Sequence, residues 1–97
     1  MRRPDYAARA KVLKALAHPT RLLMVDALTR RELCVCELQK LAGSDMSTVS
    51  KHLSLLKAAG VVRDRRQGSW VYYSLRCACV SGFFKCVEGV LRGRGKR

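Results

Sequence analysis

Two amphipathic helical patterns joined by a short turn constrain the fold of this chain more than any other feature. The first, predicted helix 3, covers about residues 32–42 and ends at Gly43, where helices commonly terminate in a left-handed residue. The second, predicted helix 4, begins after Ser44 or Asp45, both good N-caps, and ends at Gly60. Its apolar positions form one stripe: Val49, Leu53 and Leu56. This arrangement predicts a helix-turn-helix.

An arginine-rich β-hairpin is predicted directly after helix 4. The runs VVRDR and WVYYSL contain β-branched and aromatic residues, and the turn-prone RQGS separates them. Helical spacing predicts three further helices, over residues 5–17, from Pro19 to about residue 30, and over about 79–92. We therefore expect a mainly α fold with a β-hairpin wing (α+β), a winged helix-turn-helix of five helices. It would form a single domain over residues 1–97 with flexible ends at about 1–4 and 93–97.

The charge balance predicts a polyanionic partner. The chain carries 20 Lys and Arg against 7 Asp and Glu, a formal net charge of +13. Nucleic acid binds such a surface because cationic side chains release counterions from its phosphates. A surface that only aids solubility and one that binds acidic membranes are the alternatives. We expect double-stranded DNA as the partner.

The polar face of helix 4 and the tip of the hairpin supply candidate DNA contacts. Small hydroxyl side chains let the helix backbone approach DNA closely, and longer cationic ones reach phosphates or base edges. The predicted DNA-binding residues are Ser47, Thr48, Ser50, Lys51, His52, Arg65, Arg66 and Gln67. The alternative is that the helix merely exposes polar groups to solvent and the hairpin is an ordinary basic edge.

Nothing in the sequence predicts membrane insertion or export. No apolar run approaches the roughly 20 residues that a membrane-spanning helix needs. The N-terminal MRRPDYAARAKVLK lacks the apolar core and cleavage site of a signal peptide. We therefore expect a cytoplasmic protein with no membrane partner.

A domain this small is often marginally stable alone, and the last helix carries two apolar rows, so oligomerisation is expected.

Two of the five cysteines lie one residue apart in ELCVCEL, residues 32–38. In a reducing compartment a disulfide framework is not expected, which leaves metal-binding, redox-active or simply buried thiols. Residues i and i+2 of a regular helix lie about 200° apart around its axis. Cys34 and Cys36 would therefore bind one ion together only if the start of helix 3 unwound. Because helix 3 positions helix 4, that change would reach the DNA-binding helix.

Three stretches together resemble the ArsR/SmtB family of bacterial winged-helix repressors: HPTRLLMVDAL, ELCVCEL and STVSKHLSLLKAAGVVRDRRQGSWVYYSL. The resemblance covers about residues 10–76. It implies a homodimer, joined through the first and last helices, that binds operator DNA and releases it when a metal or metalloid inducer binds. ELCVCEL is similar to the arsenic-responsive branch, which implies that Cys34 and Cys36 bind As(III) or Sb(III). Soft thiolates also accept Cd, Zn or Cu(I).

The chain departs from that branch at one position. Gln39 stands where a third cysteine would follow Cys36 by three residues. Two sulfurs with a hydroxide would suffice, or a third thiol would come from either subunit, or the effector is not arsenite. The candidate additional thiols are Cys77, Cys79 and Cys86; for the last two, packing at the dimer seam is the alternative role.

The family's other common site, in which His and Asp of the last helix bind zinc, is not visible. The chain has two histidines, and the predicted last helix contains neither His nor Asp. We expect His18 to be a loop or cap residue and His52 to contact DNA.

Three further functions compete with a metalloid-responsive repressor. The same repressor would sense oxidants or sulfide if its thiols formed disulfide or polysulfide links. A basic protein that coats DNA without sequence preference would show only a steep salt dependence. An enzyme is disfavoured because the sequence has no C-x-x-C, Cys-His-Asp constellation or phosphate-binding glycine loop. We therefore expect no catalytic residues, no required cofactor and no small-molecule substrate.

Overall fold

The computed structural model describes residues 3–94 and contains five helices and three strands in that range. In chain order they are α1 (Tyr6–Leu16), α2 (Pro19–Leu28), β1 (Leu33–Cys34), α3 (Val35–Ala42), α4 (Met46–Ala58), β2 (Val62–Gln67), β3 (Trp70–Leu75) and α5 (Val80–Arg94). The predicted winged helix-turn-helix is confirmed, with α3 and α4 as the helix-turn-helix and β2–β3 as the wing.

The ends of the helices follow from local chemistry that the sequence displays. The Asp5 carboxylate accepts a hydrogen bond from the backbone of α1 and caps it, and Pro19 occupies the first turn of α2. Gly43 ends α3 with a left-handed φ of 68°. Asp45 then caps α4, and Gly60 follows that helix with a φ of 83°. These predicted boundaries are confirmed.

The three strands form one antiparallel sheet in the order β1–β3–β2. The prediction that helix 3 begins at residue 32 is wrong, because Leu33 and Cys34 are extended and pair with Tyr73 and Tyr72 of β3. Both residues of β1 are buried. The sheet and the core therefore hold this segment extended, and the helix starts at Val35.

One apolar core lies between the helix-turn-helix, α2 and the sheet. It contains the predicted stripe of α4 together with residues of α1, α2, α3 and the sheet and the residue before β2: Leu16, Met24, Val25, Leu28, Leu33, Leu38, Val49, Leu53, Leu56, Val61 and Val62. Leu38 of α3 is fully buried, and α3 packs on α4. A shift of α3 would therefore change how α4 packs in the core.

The last helix contacts this core mainly through its first turns, since Val80 and Phe84 pack there. It begins at Val80, one residue later than predicted, and continues through residues 93 and 94, which the sequence analysis assigned to a flexible end. Beyond Phe84 its apolar side chains are largely exposed, and Val90 reaches 68% exposure. Two of them, Val87 and Leu91, line an open groove of about 1010 Å³ together with apolar residues of α1 and α2.

Within residues 3–94, no helix combines the length and the apolar character needed to cross a membrane. The remaining residues of the predicted flexible ends, 1, 2 and 95–97, lie outside the described part of the chain.

Candidate DNA-binding surface and cysteine site

The start of α4 presents an exposed polar face held in place by its cap. The Asp45 carboxylate accepts hydrogen bonds from the backbone N–H of Thr48 at 2.8 Å and the Ser47 hydroxyl at 3.2 Å. Hydrogen bonds from Thr48 hold the pKa of Asp45 below its usual range, so the cap stays ionised at neutral pH. Ser47, Thr48, Ser50 and Lys51 are all exposed, as a DNA-contacting face requires.

His52 differs from the other predicted contacts on α4 because it is half-buried and turned toward α2. Its ring lies 4.5 Å from that of His18, centroid to centroid, and its buried Nδ1 has no hydrogen-bond partner among the described residues. Burial, with smaller contributions from His18 and Arg21, lowers the pKa of His52, so the ring is neutral at pH 7. The expectation that His18 is a cap residue is confirmed, since its Nδ1 accepts a hydrogen bond from Thr20 at the start of α2.

All three predicted contacts in the wing are exposed, beside Gly68, whose φ is 62°. Arg66 has no ion-pair partner among the described residues, whereas Gln67 accepts a hydrogen bond from Arg65. The Arg65 guanidinium also donates two hydrogen bonds to the carboxylate of Glu32, at 2.7 and 2.9 Å. This pairing lowers the pKa of Glu32 and raises that of Arg65. Direct DNA contact by Arg65 stays a prediction. The ion pair with Glu32 competes with it for the guanidinium.

The two cysteines of ELCVCEL lie on either side of the first residue of α3. Cys34 is the N-cap residue, with an extended backbone (φ −79°, ψ 160°) and 8% exposure, whereas Cys36 is in the first turn and exposed. The premise that both lie in a regular helix is therefore wrong, because Cys34 pairs with β3. That a shared ligand requires a change at the start of α3 stays a prediction; Cys34 is buried and Cys36 is exposed.

A carboxylate holds the start of α3 in this conformation. The backbone N–H of Cys34 donates to Glu37 Oε1 at 3.0 Å, and Arg31 donates to the other oxygen of Glu37 at the same distance. The Cys34 N–H, and after it Arg31, lower the pKa of Glu37. The contact was not among the predicted ones, although a Glu three residues after an N-cap is a recognisable capping-box signal.

A preassembled set of three metal ligands is not found among residues 3–94: no three His, Cys, Asp or Glu side chains there are grouped closely enough to hold a metal ion. Cys77 and Cys79, whose Cα atoms lie 5.3 Å apart, are joined in a disulfide, so the expectation of free thiols is wrong for this pair. Cys86 is free and exposed on α5.

The family described as "Bacterial regulatory protein, arsR family" matches residues 18–64. The arsenic resistance transcriptional regulator ArsR1 of Pseudomonas putida is 46% identical over 65 residues, which cover 66% of this chain and 51% of the relative. A homologue of the cadmium resistance regulatory protein CadC from Staphylococcus aureus is 45% identical over 67 residues, covering 68% of this chain and 55% of the relative. The matched region is thus about half the length of each relative.

A solved structure of similar fold spans most of the chain. It is the homodimeric winged helix-turn-helix DNA-binding domain Mb0332 of Mycobacterium bovis, with a TM-score of 0.80 and 32% identity. The similarity covers 92% of this chain and 82% of that one. At this coverage the match extends into α1 and α5, which lie outside the residues matched by the family sequence pattern.

Proposed function

Because this chain belongs to the arsR family of bacterial regulatory proteins, we propose that it is a dimeric repressor controlled by thiol-seeking metalloids. It would bind operator DNA through α4 and the wing, and release it when arsenite or antimonite binds the thiolates of Cys34 and Cys36. The observation that carries the proposal is the position of both thiols at the start of α3, the helix packed against α4.

The exposed face of α4 supports the DNA-binding half of the proposal. Its hydroxyl groups and the ammonium of Lys51 point away from the core that fixes the helix. Arg66 and Gln67 extend the same function to the wing, where they suit phosphates or the minor groove. The net charge of +13 supplies the general attraction to DNA.

The groove between α5 and the first two helices supports a homodimer. Its exposed apolar side chains, among them Leu13, Leu22, Phe83 and Leu91, form a patch that a second copy would cover. The homodimeric relative has the same fold, which agrees with this assignment. A two-fold dimer would read two related half-sites, so the operator is expected to be an inverted repeat.

The release mechanism follows from the double role of Cys34. Its backbone closes the β1–β3 pairing and caps α3, and its side chain is buried. An ion held by both sulfurs would draw that side chain toward exposed Cys36 and disturb the start of α3. The ligand would thereby favour a second arrangement of α3 and α4 with lower affinity for DNA.

A mobility-shift titration with a duplex selected from a randomised pool tests this proposal. We expect arsenite to dissolve the complex of the wild-type protein and to leave the complexes of Cys34→Ser and Cys36→Ser intact. Chelation by two linked ligands typically strengthens binding by about 10²–10⁴ over one, so either substitution should suffice. Cys86→Ser alters a free and exposed thiol on α5 that is also a candidate third ligand. Full arsenite sensitivity in this variant would exclude Cys86 from the site and make it the matched control. Wild-type sensitivity retained in both helix-start variants would refute the sensor assignment.

A second candidate function is release of DNA on thiol oxidation, favoured by the disulfide between Cys77 and Cys79. Two thiols and one hydrogen peroxide would yield this disulfide and two waters. The segment precedes α5, so its oxidation would act at the proposed dimer interface. Peroxide that releases DNA from the wild type and not from Cys77→Ser would support this function, and an equal response of both would exclude it.

A further inference from the structure

One row of side chains runs across all three strands and connects the cysteine segment to the wing. Tyr72 of β3 is the register partner of both Cys34 of β1 and Arg65 of β2. Directly opposed residues of antiparallel strands point to the same face of the sheet. Cys34, Tyr72 and Arg65 therefore form a single cross-strand row, with the proposed sensor at one end and a wing cation at the other.

The guanidinium at the wing end of this row reaches back over the sheet. Its carbon lies 4.7 Å above the centroid of the Tyr72 ring, and its Nε and one terminal nitrogen bind both oxygens of Glu32. The remaining terminal nitrogen donates to the Gln67 side chain at 2.8 Å. Glu32 stands two residues before Cys34, so Arg65 is bonded to the segment that carries the sensor.

We propose that Arg65 and Glu32 are positioning residues that fix the wing to the segment preceding Cys34, and that they carry a change at Cys34 to the wing. The second part rests on the proposed function. Single exposed ion pairs contribute little, whereas this one is bidentate, stacked on an aromatic ring and joined to a further hydrogen bond. A guanidinium bonded in this way is not free to bind a DNA phosphate. Arg66, by contrast, is exposed and has no ion-pair partner among the described residues.

The positioning role is tested by how DNA affinity depends on salt. A cation that neutralises a phosphate contributes to the slope of log affinity against log salt, and this contribution vanishes on extrapolation to 1 M. We expect Arg66→Gln to reduce the slope. Arg65→Gln and Glu32→Gln should leave the slope unchanged and lower the extrapolated affinity by similar factors, on the order of 2- to 5-fold.

Two further variants make this test decisive. The double variant Arg65→Gln with Glu32→Gln should lose no more affinity than either single one, since both remove the same interaction. Arg65→Lys keeps the positive charge but cannot bind both oxygens of Glu32 as the planar guanidinium does, so its extrapolated affinity should also fall. A reduced slope for Arg65→Gln, a preserved affinity for Arg65→Lys, or additive losses in the double variant would each overturn the positioning role. Urea unfolding of every variant identifies any that fail to fold.

The coupling is tested by amide hydrogen exchange of residues 62–75 in the full protein, with sodium arsenite as the probe. In the wild type, arsenite should accelerate exchange in the wing. In Arg65→Gln, exchange should already be faster and arsenite should add nothing, although thiolate–arsenic absorption still appears. Absorption in the wild type without any change in the wing would overturn the coupling and leave the proposed function standing. Absence of that absorption would refute the proposed function. The positioning role would still be tested independently by the salt dependence of DNA affinity.

Discussion

Replacing Lys51 with Gln tests whether the exposed face of α4 meets phosphate. The side chain is exposed, and its ammonium has no carboxylate partner within the described residues, so no carboxylate among residues 3–94 competes for it. Each phosphate contact contributes about 0.9 to the salt slope, hence about 1.8 for the two copies in a dimer. Between 50 and 200 mM salt, wild-type affinity should therefore fall about 12-fold more than that of Lys51→Gln.

Fluorescence anisotropy of a labelled duplex at several potassium chloride concentrations measures these slopes. Lys11→Gln is the matched control, since it removes the same charge from an exposed position on α1. Its slope should equal that of the wild type. An unchanged slope in Lys51→Gln, or an equal change in both variants, would refute the assignment of α4 to the DNA interface.

Three other predictions concern stability. Leu53→Ala leaves a cavity at a position with 1% exposure on the inner stripe of α4 and should lower the free energy of urea unfolding by about 2–5 kcal/mol. A loss within the range typical of surface substitutions, about 0.5 kcal/mol, would contradict the core assignment. Gly43→Ala should cost about 1–2 kcal/mol in the same assay through backbone strain alone, since φ is 68° and no atom lies within 4 Å of the added Cβ; an unchanged midpoint would argue against the left-handed turn. The lowered pKa of His52 means that the unfolded chain takes up this proton before the folded chain does as the pH falls, so the stability contributed by the neutral ring is present above about pH 6.5 and is lost as the pH drops below it; His52→Gln should flatten that decline, and equal slopes would refute the buried neutral ring.

The helix-turn-helix and the wing were predictable because their signals are local. Gly43, Asp45 and Gly60 mark helix boundaries through their own backbone or side-chain chemistry. The stripe of α4 repeats with the helical period, and the hairpin carries its turn residues between two β-rich runs. Each of these features depends on residues within one or two turns of one another.

The start of α3 was mispredicted because its conformation is set by distant residues. Leu33 and Cys34 fit a helical pattern, yet they pair with Tyr73 and Tyr72, nearly 40 positions later in the chain. The bond between Arg65 and Glu32 spans 33 positions and leaves no periodic signal. The contact of His52 with His18 likewise arises from the packing of α2 beside α4.

The identity of the inducer was not predictable from the cysteine spacing for a related reason. Cys34 and Cys36 supply two soft donors, and a third donor depends on tertiary placement. The similar chains carry names that refer to arsenic in one case and cadmium in another, so similarity supports the regulator family and does not identify an ion for this chain.

One ion bridging Cys34 and Cys36 should lower the affinity for DNA. Thiolate–arsenic absorption and operator anisotropy, recorded simultaneously during arsenite titration of the reduced protein, would show whether ion binding and DNA release are the same event. We expect both signals to change over the same concentration range, with two thiolates bound per arsenic, and both changes to disappear in Cys36→Ser. Release of DNA by that variant at wild-type arsenite concentrations, or absorption that saturates while the DNA stays bound, would contradict it.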